Sequence, residues 1–171
     1  MQRILIIGSG GTGKSVCARQ LGHILKLPVF HLDCYFWQPN WVQTPKEEWL
    51  QQLQILLEQD RWIIDGNYSR TLVHRLQYAD TVVFLDYPTR ISLYRALKRQ
   101  IFYRNRRRED ITEGCKERLE REFLLWIYNF RKNRRPGILE LLAKHPNKQL
   151  IHLIKPKDLK KWLFELAISY S

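Results

Sequence analysis

The chain is poor in cysteine, glycine and acidic residues, and it has no long apolar run. Cys17, Cys34 and Cys115 are the three cysteines in 171 residues, and no two form a C-x-x-C pair. That excludes a disulfide framework or a zinc knuckle and fits a reducing compartment, so a cytoplasmic protein is expected. No stretch reaches the roughly 18 apolar residues of a membrane-spanning helix, so no membrane is expected as a partner. No basic segment with a cleavable apolar run precedes the first strand, so no signal peptide is expected either. Asp and Glu number 17 against 29 Lys and Arg, a formal charge of +12. This calls for anionic partners: nucleotide phosphates, nucleic acid or an acidic surface. Low-complexity tracts, internal repeats and Gly/Ser linkers are absent, and with 171 residues and 44% hydrophobic content a single globular domain over 1–171 is expected.

Four of the eight glycines crowd between residues 8 and 13. Gly8-Ser9-Gly10-Gly11-Thr12-Gly13-Lys14-Ser15 fits G-x-x-x-x-G-K-[ST] at every fixed position. The flanks agree, because Ile4–Ile7 reads as a buried strand and Val16–Lys26 as a helix. Glycines let backbone N–H groups close on phosphate oxygens, and the following helix adds the positive end of its dipole. Lys14 is then expected to reach the β- and γ-phosphates, and Ser15 to ligate Mg²⁺, with Gly8 to Val16 binding the nucleotide. ATP and Mg²⁺ are the expected cofactors.

Further along, Leu27–Asp33 reads as a turn and second strand, and Cys34–Gln43 as a loop loaded with Tyr35, Phe36, Trp37 and Trp41. Thr44-Pro45-Lys46-Glu47 has the pattern of a capping box before a helix through Trp49, Leu53 and Leu57. Trp62–Gly66 and Thr81–Asp86 read as strands, and Thr89–Arg104 as a helix with Ile91, Leu93, Tyr94, Leu97 and Ile101 facing inward. Asp110–Glu113 offers a second capping box before a helix through Leu119 to Phe130. A short helix over Gly137–Lys144, a strand over Gln149–Ile154 and a helix over Asp158–Ser169 close the chain. This alternation predicts an α/β fold with a parallel sheet covered on both faces, its ligands beyond the C-terminal strand ends. Asp33, Asp65 and Asp86 fall at such ends.

Gly8–Ser15, His31-Leu32-Asp33, Asp65–Arg70, Leu85–Pro88 and the Arg-rich helix beyond resemble the adenylate-kinase-like small P-loop kinases. Leu32–Trp37 with Trp41 and Thr44-Pro45, and Arg61–Tyr68, resemble in particular the bacterial group of topology modulation proteins. The resemblance covers nearly the whole chain. It implies a three-layer P-loop NTPase fold with a five-stranded parallel sheet in order 2-3-1-4-5. It also implies an Arg-rich helical lid around 99–118 and an acceptor-binding segment around 35–57. Compared with adenylate kinases, Arg70 falls one residue later than the arginine of their Asp-Gly-x-Pro-Arg stretch, the proline is missing, and the aromatic loop is added.

Asp65, at the end of an apolar strand, suits a carboxylate that holds Mg²⁺ or orients the acceptor. Asp33 occupies the matching place one strand away, where an acid contacts metal or activates a hydroxyl. Asp86, followed by Tyr-Pro, reads as structural. Phosphoryl transfer gathers negative charge that arginines stabilise, and Arg99, Arg107 and Arg118 are the candidates, Arg107 and Arg118 being spaced like a lid pair. Arg70 resembles an acceptor-phosphate ligand, and Tyr35 and Trp37 are candidates to stack on the acceptor. His31, His74 and His152 show no ligand spacing, and Cys17 reads as a small buried hydrophobe. The reaction expected is transfer of the ATP γ-phosphate to a small-molecule or nucleotide acceptor. Two alternatives stand beside it. One is a nucleotide-gated regulator or DNA-binding protein affecting DNA topology, using Arg104–Arg108 and Lys132–Arg135 for phosphate contacts, although no nucleic-acid motif is present. The other is a plain ATPase.

Overall fold

The computed structural model describes residues 1–103, 110–115 and 120–170. Five parallel strands form the main sheet: β1 (Arg3–Gly8), β2 (Val29–His31), β5 (Trp62–Asp65), β6 (Thr81–Leu85) and β7 (Gln149–Leu153). Their spatial order is β2-β5-β1-β6-β7, which is 2-3-1-4-5 when these five are counted along the chain. The central strands are apolar on both faces because both faces are covered. Leu5, Ile7, Ile64, Val82 and Phe84 point to one side, against α3 (Lys46–Leu57), α4 (Ser69–Tyr78) and α7 (Arg135–Ala143). Ile4, Ile6, Ile63, Val83 and Leu85 point to the other, against α1 (Lys14–Leu25) and α8 (Pro156–Ser169). Each such side chain, fully buried, contributes roughly 1.5–3 kcal/mol. Register decides the rest, since pairing Ile6 with Asp65 and His31 with Asp65 puts the strand-end polar groups in one row.

The aromatic stretch is more ordered than a loop. Asp33–Phe36 forms the short helix α2, and Trp37–Gln38 (β3) pairs antiparallel with Val42–Gln43 (β4) across a tight turn. Asn40 and Trp41 sit at φ 61° and 63° in that turn.

Three local expectations fail for physical reasons. Thr44 does not cap α3, because its hydroxyl donates to the Tyr35 carbonyl at 2.8 Å and Pro45 takes the cap position with no side-chain bond. Residues 110–115 are turns, so Asp110–Glu113 does not open a helix there, and Thr112 donates to the carbonyls of Cys34 and Trp37. In α5 (Thr89–Tyr103), Tyr94, Leu97 and Ile101 face outward, Ile101 at 79% exposure. The buried face of α5 is Ser92 and Ala96, because it lies against the glycine loop, where only small residues fit.

Candidate active site

The loop between β1 and α1 is shaped by contacts that leave no room for side chains. Gly11 has φ 74°, and a Cβ there would lie 2.2 Å from the Ser92 carbonyl oxygen of α5. Gly10 lies equally close to α6 (Arg121–Asn133), where a Cβ would meet Phe123 at 2.6 Å and Ile127 at 3.1 Å. The turn is braced from within by the Thr12 hydroxyl on the Ser9 carbonyl at 2.8 Å. From outside, Arg95 donates to the Thr12 carbonyl at 3.2 Å while its guanidinium lies 5.7 Å from the Tyr87 ring centre.

This loop meets the requirements of a phosphate cradle. Gly13 is the left-handed N-cap of α1, and no side chain caps the helix or places an acid in its first turn. Its first N–H groups and the dipole's positive end therefore face the loop. The buried Ser9 hydroxyl has no hydrogen-bond partner among the described residues, as a group waiting on a ligand oxygen would. Lys14 Nζ donates to the Ser9 carbonyl at 3.0 Å. Burial pulls the Lys14 pKa below the ordinary lysine value, against the opposing charges of Asp65 and Asp33.

Beside Lys14, the Ser15 hydroxyl donates to Asp65 Oδ2 at 2.9 Å. His31 Nδ1 donates to Asp65 Oδ1 at 2.5 Å. Burial alone would lower the His31 pKa, but its hydrogen bond to Asp65 and that group's charge outweigh this and raise it. Ser15 and Asp65 supply the hard oxygen ligands that Mg²⁺ takes, and among the described residues no three His, Cys, Asp or Glu side chains form a metal cage. The oxygen pair of Ser15 and Asp65 suits a metal held by one or two protein oxygens together with substrate phosphates. Sequence reading assigned His31 no role, because only the β2–β5 register brings it to Asp65.

Asp33 begins α2, and its Oδ1 accepts the Tyr68 hydroxyl at 2.6 Å. Tyr68 follows β5 in the loop that Arg75 holds. The Arg75 guanidinium is wholly buried and donates to the Gly66 carbonyl at 3.1 Å and the Tyr68 carbonyl at 2.9 Å. Burial lowers the Arg75 pKa to about 10, with Tyr68 and Asp65 pulling the other way. Arg75 and Tyr68 are neighbours of Asp33 and of the loop after β5 that the motif reading missed. The signal was Asp-Gly-Asn-Tyr followed, five residues past Arg70, by a second arginine.

Other expected residues are placed as follows. Arg70 is exposed in the first turn of α4, so the buried arginine of this region is Arg75. Arg99 stands near enough to Lys14 to act on its charge and lies 5.7 Å from the Phe123 ring centre. Arg107 and Arg118 lie outside the described residues. Tyr35 packs edge-on against Phe30, and Trp37 against Phe36 and Trp41, so both rings are engaged within the protein. Tyr35 and Trp37 also line a cleft of about 400 Å³ with Cys34, Glu48, Gln52 and Thr112. The segment from Asp33 to Leu57 carries Asp33, Glu47 and Glu48 against the single cation Lys46, an acidic stretch in a basic chain.

Asp86 is structural, as its sequence suggests. Its carboxylate is buried and accepts Arg135 Nε at 2.8 Å and His152 Nε2 at 2.9 Å. Arg135 is thereby removed from the surface cluster that would serve nucleic acid. Cys17 is fully buried, and burial pushes its thiol up to about 12.

No protein-family model matches the chain, and no curated protein does. Solved structures do. A shikimate kinase from Bacteroides thetaiotaomicron superposes with a TM-score of 0.60 at 16% identity, covering 98% of this chain and 97% of that one. A shikimate kinase from Acinetobacter baumannii, in complex with shikimate, gives 0.58 at 16% identity over 99% and 94%. A sugar kinase from a Janibacter species gives 0.55 at 17% identity over 99% and 94%. The sheet order and the glycine loop thus define the fold of the small P-loop kinases. No helix of the described residues is long and apolar enough to cross a membrane.

Proposed function

We propose that this chain transfers the γ-phosphoryl group of Mg·ATP to a hydroxyl group of a small molecule. The observation that carries this reading is the convergence of Lys14, Ser15, Asp65 and Asp33 on one end of the sheet, with Asp65 and Asp33 both acting on the Lys14 charge. In it, the loop amides and Lys14 hold the donor phosphates. Ser15 and Asp65 are the residues that would hold Mg²⁺, which when bound neutralises charge on the β- and γ-oxygens. Asp33 orients the acceptor hydroxyl and takes its proton as the oxygen attacks the γ-phosphorus, while the bond to the bridging oxygen breaks and ADP leaves. Arg99 stabilises the charge that builds between them. Arg107 and Arg118 join it in this reading, Tyr35 and Trp37 bound the acceptor region, and the cytoplasm is the setting.

Charge favours a hydroxyl over a phosphate as the acceptor. A nucleoside monophosphate brings two negative charges, needs cations and needs no base. The Asp33–Leu57 segment is acidic, and its one cation, Lys46, is exposed. The Leu32–Trp37 and Arg61–Tyr68 stretches support a place within the topology modulation group.

The test is an ADP-release screen of sugars, polyols, hydroxy acids and nucleoside monophosphates with Mg·ATP, run beside Lys14→Ala. Turnover of at least one alcohol is expected, falling at least 10²-fold in the variant with its fold intact. Equal turnover by both proteins, or turnover of monophosphates alone, refutes the reading.

A further inference from the structure

We infer that Tyr68 is the positioning residue that aims Asp33 at the acceptor. This rests on the reading of Asp33 given above. A short carboxylate on a four-residue helix has little to fix its rotamer by packing, and none of the residues of α2 is fully buried. Its orientation must come from a partner, and the Tyr68 hydroxyl, 2.6 Å from Oδ1, is such a partner.

Tyr68 is itself held at two places. Its ring is wedged in an aromatic box, 4.7 Å from the Phe36 centroid and 5.3 Å from that of Trp49. Its carbonyl accepts the Arg75 guanidinium at 2.9 Å and the Thr71 hydroxyl at 3.1 Å. Burial, followed by the charge of Asp33, pushes the phenol pKa far above its ordinary value, so the hydroxyl remains a donor at any working pH.

The arrangement is a relay of fixed parts. Arg75 sets the backbone of the loop leaving β5, that backbone sets the ring, and the ring sets the hydroxyl that pins one carboxylate oxygen. Hydrogen bonds to a charged group are the strong ones in a protein, so losing this bond removes a strong constraint on the carboxylate.

Tyr68→Phe in the full chain tests the inference, since it removes the hydroxyl and keeps the ring in its box. Two readouts follow. The first is the titration of the Asp33 carboxyl carbon by NMR, assigned with Asp33→Asn. Its midpoint is expected to rise by about one pH unit or more, because a bond to the ionised form has gone. The second is phosphoryl transfer, with kcat expected to fall about tenfold or more while the KM for ATP stays the same. A purely packing role would leave the Asp33 midpoint where it was. An unmoved midpoint overturns the inference whether or not an acceptor has been found, and an unchanged kcat with a known acceptor overturns it too. A wild-type protein that phosphorylates no alcohol defeats the proposed function instead, a result separate from the NMR readout.

Discussion

Replacing Gly11 by alanine should be among the most damaging single-methyl changes this chain can suffer. The backbone at Gly11 has φ 74°, a conformation that costs an L-residue about 1–2 kcal/mol. The added Cβ would lie 2.2 Å from the Ser92 carbonyl oxygen and 3.1 Å from the Ala96 nitrogen. Both are backbone atoms of one helix, so no side chain can rotate away, and overpacking of this kind costs roughly 1–3 kcal/mol more. The expected loss is about 3 kcal/mol, a fall in Tm of roughly 6–12 °C for a chain of this size. Two further variants grade the argument. At Gly10 the nearest atom is the tip of the Phe123 ring, which can swing, so Gly10→Ala should cost less than Gly11→Ala. At Gly137, inside α7, a Cβ meets nothing within 4 Å, and alanine should stabilise by about 0.5–1 kcal/mol. Urea unfolding of the three variants provides the measurement. Equal stability of Gly11→Ala and wild type, or an equal cost at Gly11 and Gly137, would refute the claimed approach of α5 to the loop.

Two more outcomes follow from buried or hydrogen-bonded carboxylates. Asp86→Ala should lower stability by about 3 kcal/mol in denaturant titration, since it strands the half-buried Arg135 and His152 partners of a buried carboxylate. Asp80 is held below the ordinary carboxylate value: its partial burial works the other way, but the Thr81 hydroxyl and the Arg3 and Gln2 amides outweigh it. Its folded pKa is depressed, so its stabilisation is present above the unfolded value near 4 and disappears as pH falls through the folded one. Asp80→Asn should therefore narrow the stability gap between pH 6 and pH 2.5, read as the Tm difference between the two.

The sheet was legible because its central strands β1, β5 and β6 are contiguous apolar runs followed by a polar or small residue, and because the glycine loop names its own neighbours. The strand-end place of Asp65 was legible for the same reason, as the first polar residue beyond such a run, and Asp33 was read from its position just past the second strand. His31 was not, because its role comes from pairing with Asp65 across two strands, a matter of register. Arg75 and Tyr68 were hidden because a loop's carbonyls leave no mark on the residues that must satisfy them. The inward face of α5 was misread by taking the large apolar residues as the core. Next to a bare backbone the buried positions are Ser92 and Ala96, and size, not hydropathy, is selected.

α5 and α6 meet the phosphate loop at consecutive residues, Gly11 and Gly10, as two shafts resting on one bearing. At Gly11 the contact is with backbone atoms of α5, so that helix cannot change its inclination without pressing on the loop. The lever is long enough to matter. From Ala96 to Tyr103, α5 runs on for about 10 Å, so a tilt of about 5° carries its far end roughly 1 Å. A displacement of that size is enough to make or break a hydrogen bond. A small adjustment at Gly11 would therefore be read as a change of reach at the far end of α5.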